Sequence, residues 1–114
     1  MQGRLTLTAF AVILGSAIGA GVAWAATTHT VVQKGKDFWS NNMTFEMTVE
    51  AGDAIAFVNS DIFDHNVYSE TPGNSFNIGL QAPGSTTRVA LKRAGIVDVR
   101  CRIHPKMRLT VTVE

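Results

Sequence analysis

Near its C-terminus the chain carries Cys101-Arg102-Ile103-His104-Pro105-Lys106-Met107, a thiol, an imidazole and a thioether at even three-residue spacing. All three are soft or borderline metal donors, and they fall within one short loop. A thiolate combined with a thioether favours copper. Hard cations prefer oxygen, and structural zinc sites take more than one cysteine and rarely methionine. A mononuclear copper centre that transfers electrons needs two imidazoles and a thiolate, with a weak, long axial sulfur. The second imidazole must then come from elsewhere. His65, in Asp64-His65-Asn66-Val67-Tyr68, is the candidate, far enough before Cys101 for intervening hairpins to bring it back beside the loop.

Taken singly, each of these residues has a plainer reading. A lone cysteine is usually a small buried hydrophobe, a lone methionine fills core, and a lone histidine sits on the surface. Taken together, with the chain's one cysteine inside this spacing, they favour ligation.

At these residues the chain resembles the cupredoxins, and within them amicyanin and related plastocyanin-like proteins. The C-x-x-H-x-x-M loop, Pro105 directly after His104, and the His65-Asn66 pair carry the likeness, which extends over about Thr30 to Glu114. It implies a single type 1 copper ion held by His65, Cys101 and His104 in the equatorial plane with Met107 axial. It also implies that Asn66 ties the first-histidine segment to the cysteine strand. Amicyanin-like proteins pass electrons from a quinoprotein amine dehydrogenase to c-type cytochromes, so the implied partners are redox proteins of those kinds.

The elements that must position these residues follow from the hydrophobic pattern. Met1 to Ala25 has a basic Arg4, an apolar run from Leu5 to Val22 and an Ala23-Trp24-Ala25 exit, the features of a cleaved secretory signal. The alternative is a retained membrane anchor, which Gly15, Gly19 and Gly21 disfavour. Residues 26–114 suffice for one compact domain and are too few for two, which excludes a multicopper oxidase. Export places the chain in the periplasm, where an unpaired cysteine needs a use, and metal ligation is one.

Thr30 to Gln33 reads as a first strand and Lys34-Gly35-Lys36-Asp37 as a turn. His29, ahead of them, is assigned to the N-terminal tail. Met43 to Glu50 alternates at period two, with Met43, Phe45, Met47 and Val49 on one face, and Ala54 to Asn59 follows with Ile55 and Phe57 inward. Ser60 to Gln81 is polar and irregular, with Phe76 to Gly79 as a brief strand. Ala82-Pro83-Gly84-Ser85 turns into Thr86 to Leu91. Val97, Val99 and Cys101 share one parity, and Leu109, Val111 and Val113 alternate after the loop, so two core strands clamp its ends. Many short strands and no helical stretch after residue 25 predict an all-β, Greek-key antiparallel β-sandwich.

Charge is segregated. Seven basic residues fall between Arg88 and Arg108 against only Asp98, so Arg100, Arg102, Lys106 and Arg108 are expected to form a basic collar around the loop. No motif points to nucleic acid. No catalytic Cys/His pairing, phosphate loop or paired-carboxylate motif competes with the metal reading. The expectation is a monomeric electron carrier rather than an enzyme. A copper-trafficking or storage protein is the alternative, and a β-sandwich module with a merely buried Cys101 is a third.

Overall fold

A computed structural model describes residues 25–41 and 43–114. Apart from Ala25, the expected signal segment lies outside them. Ten strands follow in chain order: β1 (Thr28–Lys34), β2 (Asp37–Ser40), β3 (Met43–Thr44), β4 (Glu46–Val49), β5 (Ala54–Asn59), β6 (Tyr68–Ser69), β7 (Phe76–Asn77), β8 (Thr86–Ala90), β9 (Gly95–Arg100) and β10 (Arg108–Val113). They form two five-stranded sheets, in the orders β3-β2-β1-β5-β8 and β4-β10-β9-β6-β7. No helix among the described residues is long and apolar enough to cross a membrane.

The core lies between the sheets, where the period-two alternation of each strand sends every second side chain. Val31, Phe38, Ile55 and Phe57 enter from the first sheet, and Val97, Val99, Leu109 and Val111 from the second. Phe38 meets Phe57 edge-on, with ring centroids 6.1 Å apart. Truncating a phenylalanine packed this way costs about 3–5 kcal/mol.

The all-β sandwich is as expected, and most pairings are antiparallel. Two are not: β1 runs parallel to β5, and β4 parallel to β10. Side-chain alternation sets the face of a strand and is silent on the direction of its neighbour, so the sequence pattern carried no sign of this. The predicted single strand from Met43 to Glu50 is in fact two. Phe45 takes a φ of 81° and is exposed, so β3 pairs with β2 in one sheet and β4 with β10 in the other. The alternation holds only after this switch, where Val49 is buried and Met47 half-buried.

His29 is also corrected, from a tail residue to a member of β1. Thr28 and His29 pair with Ala54 and Ile55, and His29 Nε2 lies 2.8 Å from Asp53 Oδ2. Asp53 accepts further bonds from the Thr27 amide at 2.9 Å and the Glu50 amide at 3.0 Å. The staple extends the first strand beyond its β-branched centre, and its acceptor, Asp53, is remote from His29 in sequence. Strands β1 and β5 are in register from Thr28–Ala54 to Gln33–Asn59. Their far end leads into the loops described next.

Candidate metal centre

The segment after β5 is wound around one side chain. Asn59, fully buried, donates from Nδ2 to the carbonyls of Phe63 at 2.9 Å and Gln81 at 3.0 Å, and its Oδ1 accepts the Asp61 amide at 2.9 Å. His65 then exchanges both backbone bonds with Gln81, at 2.9 and 2.7 Å. The Gln81 side chain is itself held, donating to the Phe57 carbonyl and accepting from Gln33 Nε2 at 2.6 Å. A buried polar layer under His65 thus replaces the regular ladder that Ser60 to Gln81 lacks, which satisfies its buried backbone groups.

Cys101 arrives from the other sheet, directly after β9, at the end of the buried row Val97, Val99, Cys101. Its Sγ accepts the Asn66 amide at 3.3 Å. The Asn66 side chain bonds the Arg102 amide through Oδ1 at 3.2 Å, and donates to Asn77 Oδ1 and the Gly79 carbonyl at 2.9 and 3.0 Å. One residue therefore ties the His65 segment, the β7 exit and the cysteine strand, as the resemblance implied. The sulfur bond comes from its backbone and the tie from its side chain. Gly79 meets this contact with a φ of 76°, a conformation costly for residues with a Cβ.

The loop then turns back through His104, whose carbonyl accepts the Met107 amide at 2.9 Å, and Met107 enters the core fully buried, directly before β10. His104 Nδ1 lies 3.1 Å from His65 Nδ1, and His65 Nδ1 lies 3.9 Å from Cys101 Sγ. The three donor atoms sit within 4.8 Å of one another, with His65 and Cys101 buried and His104 half-buried. Two imidazole nitrogens and a sulfur that already accepts an N–H, as a thiolate would, form a donor set that fits copper. Burial, followed by the charges of His65 and Lys36, holds His104 below the ordinary imidazole value, favouring the neutral form a metal requires.

Asp61 was not singled out in the sequence. Its Oδ2 lies 2.7 Å from His65 Nε2, and it accepts the Gly35 and Lys36 amides at 2.9 and 3.0 Å. Burial alone would raise its carboxyl. Donation from the Lys36 amide, the His65 ring and the Gly35 amide outweighs that and keeps it below the usual carboxylate value.

Outside the donors the surface is apolar, then charged. Phe63 sets its ring edge-on to His104 at 5.9 Å, and Ile62, Leu80 and Ile103 are exposed on the same loops. Lys36 Nζ stands 4.5 Å from the centre of the Phe63 ring. The expected basic collar is largely paired: Arg102 with Glu70, and Arg100 and Arg108 both with Asp98. Arg102 also lies over the Tyr68 ring at 3.9 Å. Among the described residues, Lys106 alone of the four makes no ion pair.

The sequence profile of the copper-binding proteins of the plastocyanin/azurin family matches residues 26–114. The methylamine utilization protein MauL of Methylorubrum extorquens is 43% identical over 68 residues, covering 59% of this chain and 60% of that protein's length. In structure, a Cu(I) form of an amicyanin variant superposes with a TM-score of 0.67 at 24% identity, covering 83% of this chain and 88% of the other. A purple cupredoxin from Nitrosopumilus maritimus gives 0.63 at 19% identity, covering 75% and 99%. A copper-containing nitrite reductase from Thermus scotoductus gives 0.67 at 23% identity, with this chain spanning 87% of its own length and 25% of the enzyme's.

Proposed function

This chain belongs to the plastocyanin/azurin family of copper-binding proteins, and we propose that it is a small periplasmic electron carrier in which His65, Cys101 and His104 would hold one copper ion, with the Met107 thioether as a further, weak donor. The observation that carries the proposal is the convergence of one donor atom each from His65, Cys101 and His104 within 4.8 Å, with His65 Nδ1 3.1 Å from His104 Nδ1 and 3.9 Å from Cys101 Sγ. Bound there, copper supplies a one-electron Cu(II)/Cu(I) couple.

The chain's own part is to keep those donors still. His65 is fixed by both backbone bonds to Gln81, Cys101 by the Asn66 amide, and His104 through the loop closed by the Met107 amide. Donors clamped between two sheets change position little when the charge of the site changes, and small rearrangement is what fast electron exchange requires. Burial of His65 and Cys101 excludes water from the sulfur.

The half-buried His104 ring, bordered by Phe63 and Ile103, is the short route between the donors and the surface. We assign docking to this apolar patch. With Arg100, Arg102 and Arg108 paired to carboxylates, long-range steering rests mainly on Lys106 and Lys36. Exposed pairs such as Arg102–Glu70 contribute at most about 1 kcal/mol, so they can be exchanged for a partner's carboxylates at small cost. The MauL relative is named for methylamine utilization, in keeping with an amine-oxidising dehydrogenase as electron source; a c-type cytochrome as acceptor follows from the amicyanin resemblance alone. Residues 1–25 would be the export signal.

Stopped-flow mixing of the reduced, copper-loaded protein with an oxidised c-type cytochrome tests the carrier role. Rapid, reversible electron transfer is expected. A protein that holds copper tightly yet exchanges no electrons on the seconds scale would be a storage or trafficking protein.

A further inference from the structure

We infer that Asp61 is a positioning residue for the metal centre, selecting which nitrogen of His65 faces Cys101 and His104. The inference rests on the assignment of His65 as a ligand. An imidazole can present either nitrogen after a ring flip, so a site that needs Nδ1 must commit Nε2 elsewhere. The Asp61 carboxylate is a pure acceptor, 2.7 Å from His65 Nε2, so the proton of the neutral ring belongs on Nε2 and the lone pair on Nδ1. That lone pair points to His104 Nδ1 and Cys101 Sγ.

Asp61 can enforce this because it is itself anchored from another hairpin. Its Oδ1 takes the Gly35 amide and its Oδ2 the Lys36 amide, both from the β1–β2 turn, while its own amide is held by Asn59. Gly35 and Lys36 both have positive φ, 63° and 58°, which turns two successive N–H groups toward one carboxylate. The turn thus reaches the metal pole without contributing a ligand.

A residue that merely stapled the turn to the loop would affect folding alone, so the test needs readouts that stability does not move. In the copper-free wild-type protein, nitrogen NMR of the His65 ring should show Nε2 protonated and Nδ1 bare, and Asp61→Ala should give a mixture of tautomers. In Cu(II) competition titrations Asp61→Ala should bind about 10–100-fold more weakly, with a heterogeneous EPR spectrum. Asp61→Asn keeps one oxygen able to accept from Nε2 but sets its amide nitrogen against the Gly35 N–H and removes the charge. It should bind with intermediate affinity and show a raised reduction potential, because a nearby negative charge favours Cu(II). Asp61→Asn also serves should the alanine variant not fold. Wild-type affinity, EPR spectrum and His65 tautomer in either variant would overturn the inference. Failure of the wild-type protein to form a blue site would instead overturn the ligand assignment, while the tautomer measurement would still decide whether Asp61 sets the ring.

Discussion

The β1–β5 pair carries a histidine–aspartate contact at each end, and the two contacts are almost the same length. At one end His29 Nε2 meets Asp53 Oδ2 at 2.8 Å; at the other His65 Nε2 meets Asp61 Oδ2 at 2.7 Å. Each aspartate also accepts two backbone amides, from Thr27 and Glu50 in the first case and from Gly35 and Lys36 in the second. What differs is the remaining ring nitrogen. His65 is wholly buried and turns Nδ1 toward a thiol and a second imidazole, whereas the His29 side chain is partly exposed, 28%, and belongs to no such donor cluster among the described residues. The same local chemistry therefore staples a strand at one pole and, on the ligand assignment proposed above, aims a donor nitrogen at the other. A contact's length does not reveal its role; what the rest of the ring faces does.

The largest effect that separates the poles should come from Cys101→Ser. It removes the chain's one thiol, so the intense visible band of the Cu(II) protein should vanish. The copper-free domain should still fold with a modest drop in melting temperature, because serine keeps the side-chain shape and its Oγ can still accept the Asn66 amide. A variant with an unchanged visible spectrum would break the assignment.

Next in size is Asp53→Asn, which should act on the other pole alone. The contacts from His29, then from the Thr27 and Glu50 amides, hold the Asp53 carboxyl down at about 2 against an ordinary 3.8. A group depressed in the folded state stabilises fully above its unfolded value, and loses that stabilisation as pH falls through the folded value. The Asp53 contribution should therefore be intact above about pH 4 and fade toward pH 2. Melting curves across that range should show a slope in the wild type that Asp53→Asn flattens, along with a melting point several degrees lower at neutral pH. The visible spectrum should not change, and a changed one would mean that the two poles are coupled.

Met107→Leu should leave the blue colour and raise the reduction potential, because it removes a weak donor that helps Cu(II) more than Cu(I). Voltammetry decides, and an unchanged or lower potential would remove Met107 from the site.

The smallest effect belongs to the surface. Lys106→Glu should slow association with an acidic partner modestly and leave the transfer step alone. The slowing should fade at ionic strengths above 0.1 M, where the screening length falls below about 10 Å. An equal effect of Arg102→Glu would show that its pairing with Glu70 is broken on docking.

The placement of Cys101 and His104 beside one another was legible because their spacing, and the parity of Val97, Val99 and Cys101, can be read along a single stretch. The sandwich was legible for the same reason. The parallel pairings were not, since alternation gives a face and not a direction, nor was the sheet switch at Phe45, whose apolar side chain fits the period yet points to solvent. The sequence places His29 in the tail and gives Asp61, Gln33 and Gln81 no role, because each is meaningful only through a partner brought to it by the fold. Asp61 lies four residues before His65, but in a polar loop that spacing predicts no contact.

Whether His65, Cys101 and His104 form a type 1 copper site is decided by the visible and EPR spectrum of the purified protein with one equivalent of Cu(II). Intense thiolate-to-copper charge transfer with narrow copper hyperfine splitting is expected. A pale, tetragonal spectrum with wide splitting, or no stoichiometric uptake, would contradict it.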